Sequence, residues 1–292
     1  MSPLVKLGTL VDPSAPICYG ILMPGDHHHG GVPVIKVKNV IDGRIDEAAL
    51  LHTHPTIDEA YKRSRLASGD VLITIRGTTG RVAIVPSSLT GANITQDTAR
   101  LRLSRSASPE YLYYALQSLP SQRQIALHTI GQAVKGINIR DVRRVVIPYP
   151  ATLVEQRAIA ETLSDADGLL AGLDRLIVKK RDLKQAAMQQ LLTGQTRLPG
   201  FTGEWANSEL WRLVQTPITD GPHMTPRFLS AGVPFLSVNN LIDNRIDLTD
   251  LRYISMADDE VFSRKCKPRS GDVLLGKGRV PAHGVSPQPG ES

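Results

Sequence analysis

The hexapeptide Arg76-Gly77-Thr78-Thr79-Gly80-Arg81 sets two guanidinium groups and two hydroxyls on a backbone loosened by two glycines. Glycine lets backbone amides approach a ligand, and arginine can fork onto a phosphate or the edge of a guanine. The plainer alternative is a β-turn carrying surface arginines. The stretch Gly131 to Asn138 (GQAVKGIN) offers similar chemistry. Asn and Gln suit adenine, and lysine suits guanine or phosphate, which makes Lys135 and Asn138 candidates beside Arg76, Thr78, Thr79 and Arg81. Lys36 and Lys38 are weaker candidates for the same surface, because alternate residues of a strand share one face.

Other chemistries find less support. Asp26-His27-His28-His29 could clutch a metal, yet three consecutive imidazoles of an extended chain cannot all point one way, so a solvated loop and no metal site are expected. Gly271 to Gly278 (GDVLLGKG) nearly spells a phosphate-binding loop, but glycine stands where magnesium needs a hydroxyl. There is no Gly-x-Ser-x-Gly elbow, no His-Glu-x-x-His helix and no dinucleotide-type glycine loop. A chain without catalytic residues and without a cofactor of its own is the expectation. Cys18 and Cys266, the two cysteines, point to free thiols rather than a disulfide framework or a zinc site.

These loops belong to a duplicated unit. Gly31 to Asp46 (GVPVIKVKNVIDGRID) returns 201 residues later as Gly232 to Asp247 (GVPFLSVNNLIDNRID), with ten of sixteen positions identical. Ser68-Gly69-Asp70-Val71-Leu72 reappears as Ser270-Gly271-Asp272-Val273-Leu274. So long a period is no solenoid repeat; one domain type occurs twice, the second copy shorter. Within the first copy, strands are expected at Val34–Val37, Val71–Ile75, Val82–Val85 and Val145–Ile147, with a turn at Asp42-Gly43. Helices are expected at Asp58–Leu66 and Pro109–Leu119. Mixed elements without βαβ regularity make an α+β globule.

Between the copies the texture changes. Thr152-Leu153-Val154-Glu155 is a capping box, no proline follows until after Leu192, and Gly194 stands at a C-cap position. Forty helical residues span about 60 Å. Leu163, Ala166, Leu170, Leu173 and Ile177 alternate steps of three and four, and Leu183, Ala187 and Leu191 continue after a phase shift. Such a stripe is a coiled-coil seam that needs a partner helix, with Gly168 and Gly172 as places where it could kink. The expected divisions are a first domain over 1–151, the helix over 152–194, a linker over 195–208, a partial second domain over 209–276 and a disordered tail over 277–292.

The 34 Lys and Arg residues outnumber the 28 Asp and Glu residues, for a net charge of +6 and a pI near 9.4. This balance favours a polyanionic partner weakly. With no long apolar run and no leader pattern, a cytoplasmic protein without membrane contact is expected.

At the level of motifs the chain resembles the specificity subunit of type I restriction-modification systems. The residues that carry the resemblance are Ile147-Pro148-Tyr149-Pro150, Leu153-Val154-Glu155-Gln156-Arg157-Ala158-Ile159-Ala160, and Leu169 to Thr193 closing in Leu191-Leu192-Thr193-Gly194. Ser68 to Leu72 with Arg76 to Gly80 is similar to the signature of that family's target-recognition domains, and Ile218 to His223 with Thr225-Pro226 to the opening of another. The resemblance runs from Val5 to about Gly276. It implies two recognition domains, each reading half of a split double-stranded DNA target, held apart by helices. It also implies modification subunits that methylate adenine with S-adenosylmethionine, and a restriction subunit that translocates and cuts with ATP and magnesium. The resemblance further implies a longer second domain and a second helix, so a deletion, frameshift or premature stop is expected. Without that helix, a homodimer through Leu163, Leu170, Leu173, Ile177, Leu183 and Leu191, or an aggregation-prone monomer, is expected. A non-functional remnant, or a scaffold docking modification subunits, is the alternative.

Overall fold

A computed structural model describes residues 3–132, 134–242 and 244–276. The expected tail at 277–292 and the near-phosphate-loop residues Lys277 and Gly278 lie outside the described residues. The chain divides between Gln190 and Leu191 into two compact units.

In the first unit, strands β1 (Leu4–Lys6), β2 (Cys18–Tyr19), β3 (Val32–Ile35), β4 (Val40–Ile41), β5 (Arg44–Ile45) and β6 (Leu51–Thr53) precede helix α1 (Pro55–Ala60). Strands β7 (Val71–Thr74), β8 (Val82–Ile84), β9 (Asn93–Ile94) and β10 (Thr98–Leu101) lead to helices α2 (Pro109–Gln117), α3 (Leu119–His128) and α4 (Ile139–Val142). Strand β11 (Val146–Pro148) returns to pair with β1, and α5 (Leu153–Leu192) follows. The central sheet has the order β2-β10-β7-β8, all antiparallel, and a smaller sheet has the order β6-β3-β9.

Two cores form because both faces of the central sheet are covered. Val71 and Ile73 point into a cluster with Leu112, Leu116, Ile125 and Ile147, while Leu72 points into another with Ile35, Val40 and Ile94. Period-two alternation therefore shows no polar face, and all four residues of β7 are buried. Asp70, at the entrance to β7, is buried with its carboxylate gripped by Arg102 (Nε to Oδ1 2.8 Å, Nη2 to Oδ2 2.7 Å), and the Ala67 N–H also donates to it.

The strand expected at Val34–Val37 is shifted. It ends at Ile35, and Val37–Asn39 forms a 3-10 turn because the Lys36 N–H donates to Asn39 Oδ1 (3.1 Å). Lys36 and Lys38 thus do not share a strand face. The helix expected at Asp58–Leu66 begins earlier, at Pro55, where the missing N–H of proline is no loss. It breaks at Tyr61 into a 3-10 turn over Lys62–Ser64. The Asp42-Gly43 turn is a tight hairpin between β4 and β5, with φ of 47° and 75°. A Cβ at Gly43 would collide with the Tyr113 hydroxyl, so glycine is required there twice over.

The 40-residue α5 is one helix, continuous through Gly168 and Gly172. Thr152 Oγ1 accepts the Glu155 N–H at 3.2 Å, and Gly194 adopts φ +75° just past the C-terminus. Its first turns are fastened to the domain by Gln156, which is fully buried. The Gln156 carboxamide accepts the Ser108 N–H (2.9 Å) and donates to the carbonyls of Pro150 (3.0 Å) and Ser106 (3.3 Å). Beyond Ala160 the seam leaves the domain.

The second unit contains β12 (Val233–Phe235), β13 (Leu241–Ile242), β14 (Arg245–Ile246), β15 (Arg252–Ile254) and α6 (Met256–Ser263). Its pairing repeats the first unit at a constant offset of 201: Val32↔Thr53 becomes Val233↔Ile254, and Val40↔Ile45 becomes Leu241↔Ile246. Asn240 repeats the bracket of Asn39, accepting from the Ser237 N–H and donating to the Asp247 carbonyl. The echo of β7 fails, however. Val273 and Leu275 are exposed coil, because no counterpart of β8 or β10 pairs with them among the described residues.

Replacing Gln156 with leucine keeps the bulk but removes the partner of the Ser108 N–H and the side-chain donor to the Pro150 carbonyl, and it leaves the Ser106 carbonyl with the Tyr149 hydroxyl alone. We expect a loss of about 2–4 kcal/mol in urea unfolding of the first unit.

Candidate nucleic-acid interface

The exit of β7 is held by backbone hydrogen bonds rather than by side chains. The Ile75 N–H donates to the Asp97 carbonyl (2.8 Å) and the Ile75 carbonyl accepts the Ile137 N–H (2.9 Å). One step on, the Gly77 N–H donates to the Lys135 carbonyl (2.8 Å). Ile130 and Gly136 exchange both of their hydrogen bonds at 2.8 Å, closing the second loop on itself. The loops 76–80 and 130–137, fifty residues apart in sequence, are therefore stitched into one rim. Gly131 makes that closure possible: at φ +108° its missing Cβ leaves room for the Val134 carbonyl.

Arg76, Thr78, Lys135 and Asn138 are all exposed on this rim. The Arg76 Nε lies 4.0 Å from Asp97 Oδ1, an ion pair too long and too wet to immobilise the guanidinium. Asn138 is the N-cap of α4, but its carboxamide makes no capping hydrogen bond.

The other candidates have different surroundings. Thr79 is half-buried, with its Oγ1 3.2 Å from that of Thr129, which donates to the Ile125 carbonyl. Gln122 donates to the Gly80 carbonyl (2.9 Å), so the far side of the loop is pinned to α3. Arg81 reaches away from the rim, its Nη1 donating to the Val40 carbonyl at 3.1 Å, where it braces the β4–β5 hairpin. Lys36 is half-buried and Lys38 exposed on their 3-10 turn, and no hydrogen bond or ion pair among the described residues joins them to the rim. Sequence reading missed Asp97, Gln122 and Thr129. Nothing in the local sequence marks them, since each acts across a long-range pairing.

On α5 the seam is open. Leu163, Leu170, Leu173, Ile177 and Leu183 are 41–60% exposed, and Leu191 is half-buried. Beside the first half of the helix runs a groove of about 670 Å³, floored by Tyr113 and Tyr114 and lined by Ala160, Ser164, Gly168 and Ala171. Tyr114 Oη donates to Asp167 Oδ2 at 2.9 Å. Burial and this carboxylate both push the Tyr114 hydroxyl above its ordinary pKa, so it stays a donor. No helix among the described residues is long and apolar enough to cross a membrane.

A partly duplicated α+β domain, a two-loop rim with basic side chains and a long striped helix define a class of modular protein. Residues 26–177, more than half of the chain, match the type I restriction modification DNA specificity domain, and the chain belongs to that family. It is similar to the type I restriction enzyme EcoBI specificity subunit of Escherichia coli, 28% identical over 210 residues, which cover 68% of this chain and 42% of that protein. It is also similar to the putative type I restriction enzyme MjaX specificity subunit of Methanocaldococcus jannaschii, 26% identical over 272 residues, covering 84% of this chain and 62% of that one. The chain therefore spans less than two thirds of the length of these relatives. The fold is shared with the HsdS subunit from Thermoanaerobacter tengcongensis (TM-score 0.50, 21% identity, 69% of this chain and 51% of that chain).

A Gly131→Ala substitution should force the 130–137 loop, and Lys135 with it, off the β7 exit without removing any basic side chain. Hydrogen exchange at the Gly77, Ile130 and Gly136 amides should become markedly faster, with the β7–β10 amides unchanged.

Proposed function

We propose that the chain is a non-catalytic DNA-recognition subunit whose first unit reads one half of a split double-stranded target. The single observation that supports this most is the stitched rim. It presents Arg76, Thr78, Lys135 and Asn138 together, with donors suited to phosphates and to purine edges in the major groove. In this reading Arg81 and Thr79 shape the loop from behind, and Lys36 and Lys38 add phosphate contacts at most. Modification subunits using S-adenosylmethionine and a restriction subunit using ATP and magnesium would supply the chemistry, in the cytoplasm. The rod and the groove beside it would be their docking platform.

The open seam of α5 is proposed to pair with a second copy, running antiparallel. Its first half carries Glu155, Glu161, Asp165 and Asp167 against Arg157 alone, a net −3. Its second half carries Arg175, Lys179, Lys180, Arg181 and Lys184 against Asp174 and Asp182, a net +3. Antiparallel pairing lays each acidic half on a basic one, whereas parallel pairing opposes like charges. Such a two-fold dimer presents two identical rims and prefers an inverted-repeat target.

Arg76→Ala and Lys135→Ala should each weaken binding to the cognate duplex by about 1–3 kcal/mol in a gel-shift titration, with the arginine change relaxing specificity and the lysine change lowering the salt slope. Arg81→Ala should act mainly on stability. Affinity that does not fall with rising salt would contradict phosphate contact altogether. Leu170→Glu should convert a dimer to a monomer by light scattering; a wild-type chain that is strictly monomeric sinks the dimer.

A further inference from the structure

The rim carries an arrangement that neither its charge nor its closure requires. Gly136 pairs in antiparallel register on both of its sides, with Ile130 and with Arg76. With Ile130 it exchanges both hydrogen bonds at 2.8 Å. Around Arg76 the bonds fall one residue to either side, from the Gly77 N–H to the Lys135 carbonyl and from the Ile137 N–H to the Ile75 carbonyl. One pair is thus hydrogen-bonded and the other not, the alternation of a regular antiparallel ladder. Arg76, Gly136 and Ile130 therefore stand in one cross-strand row, and residues directly opposite each other project from the same face. The outer two backbones of the row lie about 10 Å apart.

The middle of this row is bare, and the fold does not need it to be. Gly136 lacks the positive φ that Gly131 adopts, so its backbone conformation is open to any residue. A Cβ added to it would meet the Ile75 carbonyl oxygen at 3.4 Å and Arg76 Cγ at 4.0 Å, both ordinary contacts. The glycine leaves an open slot instead, with the Arg76 side chain on one flank and Ile130 on the other. The Arg76 guanidinium leans toward Asp97, its Nε 4.0 Å from the carboxylate, and does not cover the slot. Ile130 is 68% exposed and belongs to neither apolar core. Its backbone closes the loop; its side chain packs into nothing the domain needs.

We infer that Ile130 is a specificity-determining residue that packs on the 5-methyl group of a thymine in the major groove, the base edge entering over Gly136 beside Arg76. This rests on the DNA reading proposed above and deepens it. An isoleucine side chain neither donates nor accepts a hydrogen bond, so it distinguishes base pairs only through an apolar group. Among the base edges of the major groove, thymine alone presents one. An arginine suited to guanine and an isoleucine suited to thymine, about 10 Å apart, span about three base-pair steps at a rise of about 3.4 Å each. A side chain at position 136 would stand between the two and hold the duplex off the backbone.

The test begins with duplexes selected from a random pool by the full chain. In the selected sequence each thymine is replaced in turn by deoxyuridine, which removes the methyl and keeps every hydrogen-bonding group. One position should weaken binding about fourfold, the worth of a single buried methyl group. Ile130→Ala should bind thymine and deoxyuridine equally at that position, with unchanged far-UV circular dichroism. Leu127→Ala, which trims an 82% exposed side chain on α3 outside the row, should keep the wild-type ratio. Gly136→Ala should keep the wild-type thermal unfolding midpoint and lose affinity for the selected duplex. A selected half-site without thymine, no thymine sensitive to the exchange, equal sensitivity in Ile130→Ala, or wild-type affinity in Gly136→Ala overturns the inference and leaves DNA recognition standing. A pool that yields no preferred duplex overturns the DNA reading, and this inference with it.

Discussion

The fully buried carboxamide of Gln156 is the joint on which the arrangement of reader and rod depends. Its three hydrogen bonds satisfy the N-terminus of α2, the loop at Ser106 and the chain just before α5. A buried amide so placed is tolerable only when fully matched, which makes the geometry all-or-none. Helix α5 therefore leaves the domain in one direction, with Ala160 packed, Asp167 tied to Tyr114, and Leu170, Leu173, Ile177 and Leu183 exposed along its seam. Tyr111, donating to the Pro148 carbonyl at 2.7 Å, and Tyr149, donating to the Ser106 carbonyl, brace the same corner.

The rim obeys the same logic at the other end of β7. Arg76, Thr78, Lys135 and Asn138 are exposed, but the backbone beneath them is held by a run of hydrogen bonds from Ile75 to Gly77. The proposed reading role would use that division, with rigid support fixing where a guanidinium starts and an exposed side chain reaching a base edge or phosphate. Thr79 and one arm of Arg81 serve the support: the Thr79 hydroxyl meets that of Thr129, and Arg81, though exposed, donates one N–H to the Val40 carbonyl.

Duplication makes the two units a natural comparison. The hairpin register and the asparagine bracket are reproduced at the same offset and follow from the shared motif, while the short helix starts at the equivalent position but runs eight residues in place of six. The strand after Ser270-Gly271-Asp272 is not reproduced, although its sequence matches that of β7. A central strand exists only by virtue of its neighbours. In the first unit β8 and β10 cover it; Val273 and Leu275 have no such cover among the described residues.

Local chemistry was therefore legible in the residues themselves. The Asp42-Gly43 turn, the Thr152 cap, the unbroken helix to Leu192, the duplication and the family signature all depend on neighbours in the chain, and each was readable from type and spacing. Long-range pairing was not. That Arg76 and Lys135 share a rim while Arg81 turns to the hairpin depends on which segments lie side by side. Backbone hydrogen bonds from Gly77 to Lys135 and from Ile137 to Ile75, and the Arg81 side chain on the Val40 carbonyl, decided these, and no periodicity in a single segment encodes the partner it will meet.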